Sequence, residues 1–242
     1  MIELRDALVT AWTPDPAGGP DTVTRLLGPV SLTLTERRVA IVGANGSGKS
    51  TLARLLNGLV VPSAGSVTVD GLDTRTDGPA VRRHVGFVFT DPDAQIVMPT
   101  PLEDVALSLR RAVRDPAERV ARAREALARV GLAERAELPV HALSGGQRQL
   151  LALTSVLATE PAVLVCDEPT TLLDLRWRTV VDDLLAGLPQ RVVVVTHDLD
   201  AALRADRVLV VDDGQVVHDG EPLEAVRAYR HLMTRLVPGA RR

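Results

Sequence analysis

Lysine is all but missing from this chain, cysteine nearly so, and no long apolar run interrupts it. Of 28 basic residues one is lysine, Lys49, and every other one is arginine. The single cysteine, Cys166, excludes an intramolecular disulfide and fits a reducing compartment. Neither charge sign dominates: the net charge of −3 leaves no electrostatic case for nucleic acid as a partner. Apolar stretches such as Val192 to Val195 fall far short of the roughly 20 residues a membrane helix needs. The start, MIELRDALVT, lacks the basic region and apolar stretch of a signal peptide. These absences lead to the expectation of a soluble, cytoplasmic chain. What is present is enough apolar matter, 45 % of 242 residues, for one sizeable α/β domain with room for an inserted subdomain. The arginine excess, together with abundant Ala, Val and Leu, reads as genomic codon bias.

Short β-branched runs alternate with longer helical stretches, the pattern of a mostly parallel sheet covered by helices. Arg38 to Val42 is a buried strand feeding a glycine-rich turn, with a helix expected over Lys49 to Leu59. Further strands are expected at Arg83 to Phe89, Ala162 to Cys166, Arg191 to Thr196 and Val208 to Val211. Residues 66–70 alternate as a half-exposed strand would, and residues 1–35 read as strands broken by a surface loop, Pro14 to Pro20. From about Thr100 to Ala142 strand runs vanish, and Pro116 to Val130 has helical periodicity ended by Gly131. This reads as a helical insertion in the α/β core. Asp213-Gly214 within Val208 to Val217 reads as the turn of a hairpin.

The lone lysine lies in Gly43-Ala44-Asn45-Gly46-Ser47-Gly48-Lys49-Ser50-Thr51, which fits G-x-x-x-x-G-K-[ST] between a strand and a helix. Glycines let backbone N–H groups point inward around a polyphosphate with no Cβ in the way. The helix that follows adds unpaired N–H groups and a positive dipole end. Lys49 reaches the β- and γ-phosphates as a compact point charge, and the Ser50 hydroxyl can ligate Mg²⁺. The broad guanidinium fork of arginine does not substitute there. A chance glycine-rich turn is the alternative, and the flanking pattern argues against it.

Two more clusters carry chemistry. Ala162 to Pro169, AVLVCDEP, is a buried strand ending in two adjacent carboxylates. At a strand tip Asp167 can hold Mg²⁺ through water, and Glu168 can polarise the water that attacks the γ-phosphate. Taken alone, the same residues could be a strand and an ordinary acidic turn; Cys166 reads as core packing. Leu143-Ser144-Gly145-Gly146-Gln147 has capping-box spacing at a helix start. Its two glycines could also bare N–H groups as a second anion site.

Together these stretches resemble the nucleotide-binding subunit of ABC transporters, over essentially the whole chain. The resemblance implies a P-loop NTPase (RecA-like) α/β core with an N-terminal antiparallel β subdomain and a helical subdomain inserted over roughly 100–158, the chain forming one nucleotide-binding domain. It implies an ATPase using ATP and Mg²⁺. Trp12 falls where the family stacks an aromatic on adenine. Asp174, in Thr171-Leu172-Leu173-Asp174, matches the family's dimer-loop aspartate, and His197 matches the switch histidine that contacts the γ-phosphate. The implied arrangement is a head-to-tail homodimer, with each ATP between Gly43–Thr51 of one copy and Ser144–Gln147 of the other. A transmembrane coupling subunit and a substrate-binding membrane subunit would be driven from the cytoplasmic face of the membrane.

The stretch VGFVFTDPDAQIVMPTPLEDVAL is similar to that of ATPases from energy-coupling factor importers, which take up vitamins or transition-metal ions. The loop and the following VTVDGLDTRTD are most similar to the biotin-importer type, with cobalt and nickel systems next. One position departs: the family's glutamine after the VF strand is Thr90. Thr90 is expected to reach metal or attacking water indirectly, with Gln95 facing the membrane partner. A soluble ABC ATPase without a membrane partner is the other reading that the resemblance leaves open.

Overall fold

A computed structural model describes residues 1–13, 19 and 21–236. In chain order the first elements are β1 (Ile2–Thr13), β2 (Thr22–Leu34), β3 (Arg38–Val42), α1 (Lys49–Asn57), β4 (Ala64–Val69), β5 (Leu72–Asp73) and α2 (Gly78–His84). Then come β6 (Val85–Val88), α3 (Pro101–Leu109), α4 (Pro116–Arg129), α5 (Gly145–Leu157), β7 (Val163–Asp167) and α6 (Leu175–Gly187). The last are β8 (Arg191–Val195), α7 (Leu199–Ala202), β9 (Arg207–Asp212), β10 (Gln215–Gly220) and α8 (Pro222–Leu236). The chain divides into two compact units: residues 1–85 with 191–242, and residues 86–190.

The first unit holds an antiparallel sheet, ordered β2-β1-β4-β5, and a second group of strands in which β3 lies between β8 and β9. Its β3 runs parallel to both neighbours, with Ile41 level with Val195 and with Leu209. Four of the five β3 residues are buried, as a strand covered on both faces requires. Ala40, Val42, Val208, Val210, Ala202, Ala225 and Val226 form one core cluster beneath α7 and α8. The hairpin expected at Asp213-Gly214 is there, β9 pairing antiparallel with β10. Gly214 takes φ +69° and Asp213 φ +43°, the left-handed geometry such a turn demands.

Two expectations are corrected in this unit. The strand read from Arg83 starts at Val85, because Gly78–His84 is a helix. Pro79 fits its first turn, and Arg82, Arg83 and His84 sit in its last turn, where cations complement the helix dipole. Helix α1 ends before Leu59: Gly58 adopts a left-handed φ of 70° and its N–H caps the carbonyls of Arg54 and Leu55. The loop expected over Pro14 to Pro20 lies, apart from Gly19, outside the described residues.

In the second unit only helical elements occur between Pro101 and Leu157. Helix α4 is capped by Asp115, whose side chain accepts from the N–H of Ala117, and Gly131 at φ +73° follows its end. Val105, Leu109, Ala123, Leu127, Leu150 and Leu151 make the core that α3, α4 and α5 share. Strand β7 is buried along its whole length.

Candidate functional site

The phosphate loop belongs to the first unit and leaves the end of β3 as the spacing predicts. Gly43 has no room for a side chain, since a Cβ there would land on the carbonyl oxygen of Val211. Gly46 (φ +77°) and Gly48 (φ +103°) occupy left-handed backbone, and Gly48 is the N-cap of α1. A Cβ on Gly48 would stand 2.9 Å from the Leu26 carbonyl oxygen. The loop closes on itself through the Ser47 N–H, which donates to the Ala44 oxygen at 3.2 Å. Lys49 is buried and its Nζ donates to the Ala44 oxygen at 2.8 Å. The Ser47 hydroxyl is also buried and finds no protein partner among the described residues. A buried hydroxyl without a partner is costly. An anion accepting from it would remove that cost.

Beside the loop is a cavity of about 320 Å³, lined by Thr24, Arg25, Leu26, residues 46–51, Asp213 and Gly214. Arg25 carries no motif and sequence reasoning missed it, and Asp213-Gly214 was legible as a hairpin turn but not as part of the cavity wall. The turn is fastened to the loop: Gly214 N–H donates to the Ser47 oxygen at 2.8 Å, and Gly28 N–H donates to the Gly214 oxygen. Trp12, near the end of β1, is 69 % exposed. It pairs with Val23, the residue before Thr24 of the cavity wall. His197 is exposed just after β8, and the preceding Thr196 N–H donates to the Ile41 oxygen of β3 at 3.0 Å. The C-terminal ends of adjacent parallel strands thus carry both the loop and the histidine, where α/β sheets bind ligands.

The remaining candidates lie in the second unit. Asp167 ends β7 and is 2 % exposed. Glu168 follows at φ +51°, a strained backbone for a non-glycine residue and a feature concentrated at functional sites. Its Oε2 accepts from the Thr171 hydroxyl at 2.9 Å. Thr90 lies just beyond β6, and its hydroxyl donates to the Asp167 carbonyl oxygen at 2.8 Å. That bond uses the only hydrogen of the hydroxyl and leaves its oxygen able to accept. Burial beside Asp167 pushes the Cys166 thiol up, which fits a core residue and not a reactive thiolate.

Gln95 does not point outward as expected. Its Oε1 accepts from the Phe89 N–H at 3.1 Å, and its Nε2 faces the carbonyls of Phe87 and Ala152 at 3.4 and 3.5 Å. The amide satisfies backbone at the end of β6 in place of another strand. Asp104, in the EDVAL run, is likewise structural: it accepts from the N–H groups of Val97 and Met98 and from Ser155 Oγ at 2.7 Å.

Ser144 caps α5 in a complete capping box with Gln147. The two glycines between them differ. A Cβ on Gly145 would meet nothing within 4 Å, whereas one on Gly146 would land on the indole of Trp177. Gly146 therefore admits Trp177 from α6, a packing role the sequence did not disclose. Gly145 alone is open to an approaching group. Asp174 caps α6 by accepting from the Trp177 N–H at 2.9 Å.

The ABC transporter family model matches residues 27–171. The biotin transport ATP-binding protein BioM of Rhizobium etli is 44 % identical over 206 residues, covering 85 % of this chain and 92 % of its own. An energy-coupling factor transporter ATP-binding protein, EcfA1 of Symbiobacterium thermophilum, is 48 % identical over 192 residues, 77 % of this chain and 67 % of its own. A dimeric ATP-binding cassette solved in a post-hydrolysis state with ADP and Pi superposes with a TM-score of 0.81 at 32 % identity, covering 92 % of this chain and 99 % of that one. The class is thus a P-loop nucleotide hydrolase with an antiparallel β subdomain and inserted helices. This chain belongs to the ABC transporter family and is an ATP-binding cassette ATPase. Among the described residues no helix is long and apolar enough to cross a membrane.

Proposed function

We propose that residues 1–242 act as one nucleotide-binding domain that energises an energy-coupling factor type importer, with biotin as the favoured solute. The observation that carries this reading is the phosphate cradle at the head of α1, with Lys49 seated and the Ser47 hydroxyl unpaired, in a chain aligned along most of a biotin transport ATPase. A cobalt or nickel importer is the second reading, carried by the same importer-like run, residues 85–107.

In this reading Trp12 stacks on adenine, and Gly43, Ala44, Asn45, Gly46, Ser47, Gly48, Lys49, Ser50 and Thr51 enclose the phosphates. Ser50 and Asp167 would each offer an oxygen of the kind Mg²⁺ prefers, a metal that keeps waters and takes few protein ligands beside phosphates. Among the described residues no cluster of three or more His, Cys, Asp or Glu builds a cage, which this mode of binding does not need. Bound there, Mg²⁺ would neutralise charge on the β- and γ-phosphates. Glu168 takes a proton from water as the water oxygen attacks the γ-phosphorus and the bond to the β-phosphate oxygen breaks. His197 steadies the γ-phosphate, and Thr90 accepts a hydrogen bond from the attacking water or a metal-bound one. Ser144, Gly145 and Gln147 of a second copy close over the nucleotide, with Asp174 at the dimer contact. ATP thereby joins two copies, and hydrolysis parts them to move a transmembrane coupling subunit and a substrate-binding membrane subunit.

The test is Glu168→Gln. We expect turnover to fall 10²–10⁴-fold, the range for a catalytic base, with ATP affinity kept and a stable ATP-bound dimer on size exclusion. Near-normal turnover would remove Glu168 from the role, and a monomer under ATP would overturn the shared-site reading.

A further inference from the structure

Among the described residues, Lys49 and Arg25 are the two cationic side chains that line the cavity beside the phosphate loop. The motif accounts for Lys49 and leaves Arg25 without a task. We propose that Arg25 is a nucleotide-binding residue whose guanidinium holds the α-phosphate of ATP from the β2 wall. The inference rests on the adenine reading of Trp12 and extends it.

Strand register places the residue. Thr10 pairs with Arg25 and Trp12 with Val23, in an unbroken stretch of the β1–β2 ladder. Paired residues share a face of the sheet, and alternate residues along a strand share it too, so Trp12, Val23 and Arg25 lie on one face. Arg25 is the diagonal neighbour of Trp12, roughly 7–8 Å away and within reach of a long side chain. It lies on the phosphate-loop side of that tryptophan, since Arg25 lines the cavity and Trp12 does not. A base on Trp12 and terminal phosphates at Lys49 leave the α-phosphate between the two.

The guanidinium is already extended in that direction. Its NH2 lies 3.3 Å from the Asp213 carbonyl oxygen and 3.7 Å from the Asp213 carboxylate. Asp213 adjoins Gly214, whose N–H is bonded to Ser47 of the phosphate loop. The turn thus carries the guanidinium to the loop. The bland alternative is a surface ion pair pinning the turn to β2. Asp213 is 95 % exposed, so that pair adds little on its own. A phosphate in the cavity is the stronger partner, because it can accept the planar fork through two oxygens, whereas the exposed Asp213 carboxylate stands 3.7 Å away.

The experiment is calorimetric titration of the full chain with ATP, ADP and AMP. Arg25→Ala should weaken ATP and ADP alike, by about tenfold, as expected for one charge-assisted contact at a partly open site. AMP binding should fall with them, because the α-phosphate is common to all three. Arg25→Lys should recover part of the loss. Unchanged affinities in a folded Arg25→Ala variant would overturn the proposal, as would a loss confined to ATP, which would place the contact at the γ-phosphate. If Arg25→Ala lowers the melting temperature several degrees yet binds all three nucleotides normally, the residue merely pins the turn and the proposal fails. Trp12→Ala, titrated beside it, reads the underlying assignment separately: normal affinity there removes the stacking role and leaves the Arg25 result standing on its own numbers.

Discussion

At the scale of single residues, two positions have consequences that their chemistry makes measurable. Thr90 joins the end of β6 to the end of β7 by donating to the Asp167 carbonyl. Thr90→Val removes that bond while keeping the shape. We expect a loss of about 1 kcal/mol in stability and slower ATP turnover, with Thr90→Ser close to the parent on both counts. A Val variant that hydrolyses ATP normally would take Thr90 out of the site. The second position is Asp70. Desolvation pushes its carboxyl up, but the chain's terminal ammonium, His84 and Arg191 together outweigh that and hold it at about 2. A depressed native carboxylate stabilises the fold above its unfolded value and loses that contribution as pH falls through the native one. The charges are partly solvent-screened, so the effect is modest. Asp70→Asn should melt a few degrees lower than the parent at neutral pH, and the gap should close between about pH 4 and pH 2. A gap that stays constant across that window would mean the cluster contributes nothing through charge.

At the scale of elements, the start of α5 separates fold from function within two adjacent glycines. The ring of Trp177 occupies the space a Cβ on Gly146 would need, so Gly146→Ala overpacks the contact between α5 and α6. The expected cost is about 1–3 kcal/mol, read as a lowered midpoint in urea. Gly145 has open space, and Gly145→Ala should be neutral or slightly stabilising, since alanine loses less backbone freedom in a helix. In the proposed dimer the same Gly145→Ala should nonetheless weaken ATP-driven association, because its surface is what a second copy's nucleotide meets. Equal stability losses in both variants would show that the two glycines do the same job. Helix α3 shows the same division: Thr100 caps it and Asp104 bridges from it to the 97–98 backbone and to Ser155. Part of the importer-like run is thereby explained by the architecture of the second unit.

At the scale of the whole molecule, the net charge is −3 and no helix among the described residues is long and apolar enough to cross a membrane. If the proposed function holds, the chain should copurify with integral membrane proteins from native membranes. Loss of the chain should then abolish uptake of one solute among biotin, cobalt and nickel, with biotin expected. Capture of no membrane protein would favour the reading of a cassette that works in solution.

The strand feeding the phosphate loop, the loop itself and the family were legible in the sequence because each rests on local spacing. A lysine after a glycine-rich turn, two carboxylates after a β-branched run and a capping box before an apolar helix all declare themselves within ten residues. Tertiary structure decided whatever depends on residues far apart in the chain. It brought Asp213 to Arg25 and Gly214 to Ser47, and it set Trp177 into the notch at Gly146. It also turned Gln95 inward, since the N–H of Phe89 needed an acceptor that no strand supplied. Helix α2 was misread for the same reason. Its histidine and arginines look like the head of the next strand until Asp70, in the turn just after β4, is placed beside His84. Backbone propensity and motif spacing are short-range properties, whereas pairing register and side-chain packing are settled only when distant segments compete for the same space.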